Sequence, residues 1–254
     1  MFASRYCEGM TPHRLKTASG EARPSRSGGA VDVGVVVLLP LIVAFVWALL
    51  YTPHGVEIVV TVAVALVVPL VAAASILRRR PRTITPADRV TLGRVALTGL
   101  IAAVTVLVLL DRFPVRTWTT AAVVSAALLL DAVDGWVARR TGTATDAGAR
   151  LDMESDAALL LVLSVLVSQT VGWWVLAIGL MRYVFVAASW VHPKLRADLS
   201  YSSFRRVVAA IQGIALLLAL VPIVPPAMAV ASVAIALALL TVSFGRDVVA
   251  LERA

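Results

Sequence analysis

Long apolar stretches separated by short polar breaks dominate the chain. Each is close to the roughly 20 residues that an α-helix needs to cross the hydrocarbon core of a bilayer. The breaks hold turn residues, as in Asp111-Arg112-Phe113-Pro114. The eight apolar stretches are 34–51, 56–77, 90–110, 117–138, 152–170, 173–191, 205–222 and 227–244. The pattern predicts an all-α membrane protein with about eight transmembrane helices.

Polar segments divide this pattern into units. Residues 1–33 are rich in Arg, Ser, Gly and Thr without periodicity, which predicts a disordered cytoplasmic tail. A basic break at 78–84 separates an accessory pair of helices, 34–77, from a core of six helices over 84–245. Residues 246–254 form a short C-terminal segment.

The distribution of basic residues predicts the orientation in the membrane. Of 23 Lys and Arg residues, only Arg112 and Arg116 fall in loops on the predicted outer side. The positive-inside rule then places both termini and the 139–151 loop in the cytoplasm, with the protein in the cell membrane. The same rule accounts for the net charge of +8, so we expect no nucleic-acid partner. The single cysteine, Cys7, excludes an intramolecular disulfide.

Four aspartates interrupt the apolar pattern where the fourth stretch ends and the fifth begins. Asp131 and Asp134 share one face of a helix, and Asp152 and Asp156 share a face of the next helix. Carboxylates at membrane depth are costly unless they are paired, bind metal or face a cavity. Two antiparallel helices can turn these faces toward each other. Because no His or Cys lies nearby, the residues predict an all-oxygen site for Mg²⁺ or Mn²⁺ rather than for zinc.

Basic and hydroxyl side chains accompany this predicted site. Arg139 follows the first two carboxylates, and Thr143 and Thr145 lie in the adjoining loop. Together with a metal, such groups can bind a diphosphate. Other basic residues on the same predicted side are candidates to bind a phosphorylated acceptor, of the glycerol 3-phosphate or inositol phosphate type. They are Arg182, Lys194, Arg205 and Arg206.

The spacing of these residues resembles the signature of the CDP-alcohol phosphotransferase family. That signature reads D-x2-D-G-x2-A-R-x8-G-x3-D-x3-D, and the chain matches it throughout. The matching residues are Asp131, Asp134, Gly135, Ala138, Arg139, Gly148, Asp152 and Asp156. The stretch from Thr85 to Arg94 is also similar to the family's T-P-x-N-x-x-T-x-x-R, with Asp88 in place of the usual Asn.

The resemblance implies an activity. Residues 84–245 would form a six-helix catalytic core that transfers a phosphoalcohol group from CDP-diacylglycerol or a similar CDP-alcohol to an acceptor hydroxyl. CMP would be released, in a reaction of phospholipid biosynthesis. The resemblance also implies a homodimer and two divalent metal ions. The charge distribution places the active site on the cytoplasmic side of the membrane.

Roles for individual residues follow from the same resemblance. Asp156 would complete the metal site and act as the base that activates the acceptor hydroxyl. The implied metal ligands are Asp131, Asp134, Asp152 and Asp156. The implied contacts of the CDP moiety are Gly135, Arg139 and Thr145.

Two other functions remain open from the residues alone. An intramembrane prenyltransferase also binds a diphosphate through aspartates and Mg²⁺, but it would release diphosphate rather than CMP. A divalent-cation transporter could use the aspartates as its pathway, although transporter sites are expected near the bilayer midplane. The predicted position of the carboxylates at one membrane edge favours the phosphotransferase.

Overall fold

The structure is a computed structural model that describes residues 28–52, 54–78, 84–141, 146–192 and 203–253. Within these ranges the chain forms eight α-helices and one short 3₁₀ turn, with no strand, which confirms the predicted all-α fold. The helices are α1 (Gly28–Tyr51), α2 (Gly55–Arg78), α3 (Pro86–Leu109), α4 (Trp118–Thr141), α5 (Asp146–Val171), α6 (Leu176–Val191), α7 (Ser203–Leu220) and α8 (Pro226–Arg253).

Several helices are longer than the apolar stretches that predicted them. Helix α1 begins at Gly28, inside the predicted tail, whereas residues 1–27 lie outside the described residues. Helix α5 begins at Asp146, and α8 continues to Arg253 through most of the predicted C-terminal segment. Hydropathy marks only the part of a helix that suits lipid, and a helix can continue with polar residues beyond that part. The predicted 139–151 loop is therefore mostly helical, except for the undescribed residues 142–145.

Four helices among the described residues are long and apolar enough to cross a membrane. These spans are Asp32–Tyr51, Gly55–Arg78, Asp88–Leu109 and Pro226–Val249. Within the described residues, shorter apolar segments of Trp118–Val133 in α4 and of Trp173–Ala188 around α6 follow the same pattern. Helices α4 and α5 carry the four aspartates, which lower the hydropathy near the end of α4 and near the start of α5. The chain is a membrane protein.

Helix α3 is the centre of the bundle. Within its apolar window 83% of the residues are buried, compared with 22% in α1 and 28% in α2. It packs against α1, α2, α4 and α5, while α7 and α8 pack as a pair on the other side of α4 and α5. At Gly99 the packing is so close that a β-carbon would lie 2.5 Å from the carbonyl oxygen of Ala65 in α2. The accessory helices are thus packed tightly against the first helix of the predicted core.

A capping box fixes the start of α3. The hydroxyl of Thr85 accepts a hydrogen bond from the backbone N–H of Asp88 at 3.1 Å, and the carboxylate of Asp88 accepts one from the backbone N–H of Thr85 at 2.9 Å. Such reciprocal bonds satisfy backbone donors that the helix itself leaves without partners. Pro86 occupies the first position of the helix, where a missing N–H costs nothing. Asp88 therefore has a structural role, at the position that usually holds Asn in the family that the chain resembles.

The helix directions bring polar residues to one end of the bundle. Helices α3, α5 and α7 begin at this end and α4 ends there, because successive helices run in opposite directions. An ion pair between Arg89 and Asp32, 2.9 Å long, joins α3 to α1 at the same end. At the opposite end, Arg112 pairs with Glu57 of α2 at 2.9 Å. The candidate functional residues gather at the first of these two ends.

Candidate metal centre and adjoining cavity

Three of the four predicted aspartates lie close together between α4 and α5. Asp131 lies in α4, and Asp152 and Asp156 lie one turn apart on α5, so all three can point toward the same space. One carboxylate oxygen from each residue lies within 4.8 Å of the others. Their side chains are 39–44% exposed, so the cluster is open on one side. The structure therefore brings carboxylates of two helices to one place.

Arg94 of α3 reaches this cluster from the opposite side. Its Nη1 atom contacts Oδ1 of Asp131 and lies 2.9 Å from Oδ1 of Asp156, while Nη2 contacts Oδ1 of Asp152. Nη2 also donates to the hydroxyl of Ser155 at 2.7 Å. The guanidinium is completely buried, whereas the carboxylates are partly exposed. Arg94 thus links three helices through one side chain.

The charge at this cluster decides what it can bind. Three carboxylates so close together repel one another unless positive charge lies between or beside them. Arg94 supplies one positive charge, which leaves a net negative site that is open on its exposed side. Carboxylate oxygens are the donors that hard divalent cations such as Mg²⁺ and Mn²⁺ prefer. The donor set therefore fits a divalent metal ion.

The remaining predicted residues of this region cannot be placed in the same way. Asp134, Gly135 and Arg139 lie in the last turns of α4, but their side chains fall outside the described part of the chain. Thr145 belongs to the undescribed residues 142–145. Their roles at the site stay predictions.

A cavity of about 520 Å³ adjoins the carboxylates, between α4, α5 and α7. Its polar wall contains Asp131, Asp156 and Arg206, together with Ser125. The rest of the wall is apolar or small. These residues are Leu128, Leu129, Ala132, Leu159, Leu160, Ala209, Ala210, Gly213, Ile214 and Leu217. The cavity therefore joins an acidic corner to a long apolar surface within one space.

Comparison with known proteins identifies the family. Residues 84–243 match the family model for CDP-alcohol phosphatidyltransferase, which is well over half of the chain. The chain belongs to the CDP-alcohol phosphatidyltransferase family. The matched region runs from the residue before the cap of α3 into α8, and it contains the carboxylate cluster, Arg94 and the cavity. No curated protein and no solved structure gives a significant match to the chain.

Family membership fixes the general chemistry of this transferase. The protein is a membrane enzyme of phospholipid biosynthesis that transfers a phosphate-containing group from a CDP-alcohol to an alcohol. The family is generally dependent on divalent metal, in agreement with the donor set of Asp131, Asp152 and Asp156. Helices α1 and α2 lie outside the matched region.

The four basic residues predicted to bind the acceptor occupy different surroundings in this transferase. Arg206 lines the cavity with two of the aspartates. Arg182 donates to Glu154 at 2.5 Å, and Arg205 donates to Asp247 at 3.3 Å. Lys194 lies outside the described residues. Among the described members of this group, Arg206 is therefore the one that shares a cavity with the carboxylates.

Sequence reasoning missed Arg94 as a site residue. It was counted as one positive charge among those on the inner side, although it matched a position of the family's entry motif. The sequence does contain a signal for Arg94. It lies about 12 Å along α3 from the first residue of the helix, and a charged side chain so far from the helix end needs a partner or a cavity. Ser155 lies between two aspartates of α5 and gave no signal of its own.

Proposed function

We propose that this transferase moves a phosphatidyl group from CDP-diacylglycerol, or a closely similar lipid donor, to the hydroxyl of a small polar acceptor and releases CMP. The cavity between α4, α5 and α7 is the observation that carries this proposal. It combines an acidic corner at Asp131 and Asp156 with an apolar wall, which are the surfaces that a charged headgroup and an acyl chain would contact.

The apolar wall supports a lipid donor rather than a soluble CDP-alcohol. Leu128, Leu159 and Leu217 come from three different helices and line the same space. A lipid chain along this surface would remove apolar area from contact with water, which is favourable at about 25 cal/mol for each Å². Such a position would leave the diphosphate beside the carboxylate cluster.

The residues that would hold a divalent metal are Asp131, Asp134, Asp152 and Asp156. A cation bound there would neutralise the diphosphate and stabilise the leaving oxygen of CMP. Gly135, Arg139 and Thr145 are proposed to contact the CDP moiety, on the basis of the signature positions that they match. Their proposed role is to orient the donor so that its second phosphorus faces the acceptor.

Asp156 is proposed as the general base. Its carboxylate lines the cavity, and it lies one turn farther along α5 than Asp152. It would take the proton of the acceptor hydroxyl while the acceptor oxygen forms a bond to the phosphorus that bears the diacylglycerol. The bond from that phosphorus to the bridging oxygen breaks, and the bridging oxygen leaves with CMP. The proton then passes from Asp156 to water.

A phosphorylated acceptor, of the glycerol 3-phosphate or inositol phosphate type, is favoured by Arg206. This residue lines the cavity together with Asp131 and Asp156, and a guanidinium can bind a phosphate through two parallel hydrogen bonds. Arg182, Arg205 and Lys194 are further candidates for this role. Arg182 and Arg205 would first have to leave Glu154 and Asp247.

An acceptor screen tests the proposal. Purified protein is given CDP-diacylglycerol, Mg²⁺ and one acceptor at a time, either phosphorylated or without phosphate, and CMP release is measured. We expect a phosphorylated acceptor to give the highest rate, and Arg206→Gln to raise its KM by at least about tenfold. Equal rates with unphosphorylated acceptors would contradict the acceptor class while leaving the donor proposal intact.

We also propose that the carboxylate end of the bundle faces the cytoplasm of the cell, with both termini on that side. The support is the charge distribution, in which only Arg112 and Arg116 lie in outer loops. Single cysteines at Thr143 and Val115, tested in a Cys7→Ser background, would report the orientation. An impermeant reagent applied to intact cells should label position 115 and spare position 143, and the reverse pattern would refute the topology.

A further inference from the structure

Arg94 is a buried cation in an apolar bundle, and its guanidinium contacts the carboxylate centre and α5 beside it. Nη1 contacts Asp131 and Asp156, and Nη2 contacts Asp152 and Ser155. A buried charge of this kind is strongly destabilising when its counter-charges are removed. The position of Arg94 and the positions of the three aspartates therefore depend on each other.

The guanidinium uses the same residues that would bind a divalent cation. It takes one oxygen from each of the three carboxylates, and these residues are also the three whose oxygens lie within 4.8 Å of one another. Two positive groups that share one set of carboxylates repel each other and compete for the same negative charge. Arg94 contacts only Oδ1 of each aspartate, so a metal bound through the same residues would lie beside the guanidinium and would be opposed by its charge.

Two further contacts can hold the Arg94 side chain when a metal ion also binds the carboxylates. Nη2 donates to the hydroxyl of Ser155 at 2.7 Å and lies 3.4 Å from the backbone carbonyl oxygen of Asp152. Ser155 is itself held by a 2.9 Å bond from its hydroxyl to that carbonyl oxygen. Neither contact uses a carboxylate oxygen, so both can persist after Nη1 has left Asp131 and Asp156.

We propose that Arg94 is a tethered counter-cation of the catalytic carboxylates. It holds Asp131, Asp152 and Asp156 together while the centre is free of metal, and its Nη1 atom releases Asp131 and Asp156 when a divalent cation binds. Through Nη2 it keeps its contacts with Ser155 and the backbone of Asp152. This inference rests on the proposed metal centre. Two consequences follow: the folded centre does not require metal, and Arg94 lowers the intrinsic affinity of the carboxylates for metal.

Manganese binding by Arg94→Gln tests the inference. The full chain is purified in detergent with Mn²⁺ present, the metal is removed with EDTA, and the Kd for Mn²⁺ is measured without substrate by electron paramagnetic resonance of the free ion. We expect Arg94→Gln to bind Mn²⁺ at least about tenfold more tightly than the wild type, because a competing positive charge is gone. Arg89→Gln is the matched control. It removes an arginine of the same helix that pairs with Asp32, and it should leave the Kd unchanged.

Thermal unfolding of the same proteins separates this role from ordinary packing. In EDTA the Tm of Arg94→Gln should fall well below that of the wild type, and saturating Mn²⁺ should restore most of the loss. A merely structural arginine would lower the Tm equally in both conditions. If Arg94→Gln can be recovered only with Mn²⁺, that result supports the inference in its extreme form. Failure to recover it in either condition would overturn the inference.

The outcomes distinguish this inference from the metal centre on which it depends. If the wild type binds no Mn²⁺ and Arg94→Gln binds none either, the proposed metal centre is wrong. If the wild type binds Mn²⁺ and Arg94→Gln binds it equally or more weakly, the centre stands and the role of Arg94 is wrong. Tighter binding by Arg94→Gln with unchanged binding by Arg89→Gln supports both.

Discussion

Asp131 of α4 and Asp156 of α5 line the same cavity, and one nitrogen of Arg94 contacts both of them. The acidic corner of the cavity is therefore built from two helices and held from behind by a third. Asp152 belongs to the same cluster but does not line the cavity. Asp131 and Asp156 can therefore contact a substrate in the cavity, whereas Asp152 acts only within the cluster.

Asp156→Asn should separate chemistry from binding. The amide keeps the size of the side chain but cannot accept the proton of the acceptor hydroxyl. We expect turnover to fall by at least about 10²-fold, while donor binding at saturating Mg²⁺ stays within about tenfold. Single-turnover kinetics and equilibrium binding of CDP-diacylglycerol are the measurements. Turnover within a few-fold of the wild type would place the base elsewhere.

Asp152→Asn should act through the metal. Because Asp152 contributes to the cluster and not to the cavity wall, its loss should raise the Mg²⁺ concentration needed for half-maximal activity by at least about tenfold. Asp111→Asn is the matched control at the opposite end of the bundle. Asp111 adopts a left-handed backbone conformation with φ of 55°, which asparagine also tolerates. An unaltered Mg²⁺ requirement in Asp152→Asn would remove this residue from the metal centre.

Much of this site was predictable from the sequence, since its residues obey helical spacing. Asp131 and Asp156 each lie on a face that their own helix defines, and consecutive helices of a membrane bundle were expected to turn these faces toward each other. The contact of Arg94 with these residues depends on the packing of α3 against α4 and α5. The spacing of residues within a single helix does not predict such packing. The ion pairs of Arg182 and Arg205 were missed for the same reason. Their partners lie 28 and 42 residues away along the chain.

The helices themselves were predictable because lipid imposes a length on each of them. The ends of the helices were harder to predict: α1 begins at Gly28 and α8 ends at Arg253, both outside the apolar stretches. At those positions the chain has polar residues that can continue a helix outside the membrane or leave it, and hydropathy does not distinguish the two. The start of α3 is an exception, because Thr85, Pro86 and Asp88 together form a cap that can be read from the sequence.

Ala210→Phe should block part of the apolar wall of the cavity. Ala210 lines the cavity from α7, and a phenyl ring there would displace part of a lipid chain. We expect the KM for a long-chain CDP-diacylglycerol to rise about tenfold, since each displaced methylene loses about 0.8 kcal/mol of burial. A short-chain donor should be affected less. Ala231→Phe, on an exposed position of α8 outside this cavity, is the control. Equal KM values for both donors in Ala210→Phe would argue against a lipid chain at this wall.

Gly99→Ala should weaken the attachment of the accessory helices. The added β-carbon would lie 2.5 Å from the carbonyl oxygen of Ala65 and 3.1 Å from the ring of Pro69, and backbone cannot move aside easily. We expect a loss of about 1–3 kcal/mol in the free energy of unfolding, measured by denaturation in detergent. Gly34→Ala is the control, because nothing lies within 4 Å of its added carbon. If both variants are equally stable, the crossing of α2 and α3 is looser than described.

The central claim is that the carboxylate cluster, with a divalent metal, transfers a phosphatidyl group and releases CMP. Its most direct test is the amount of CMP formed from CDP-diacylglycerol by the purified protein, with and without acceptor, in Mg²⁺ and after chelation by EDTA. We predict one CMP for each phospholipid product, formation only when acceptor and metal are both present, and full recovery when Mg²⁺ or Mn²⁺ is returned. Undiminished CMP release after exhaustive chelation, or release of diphosphate in place of CMP, would contradict the account.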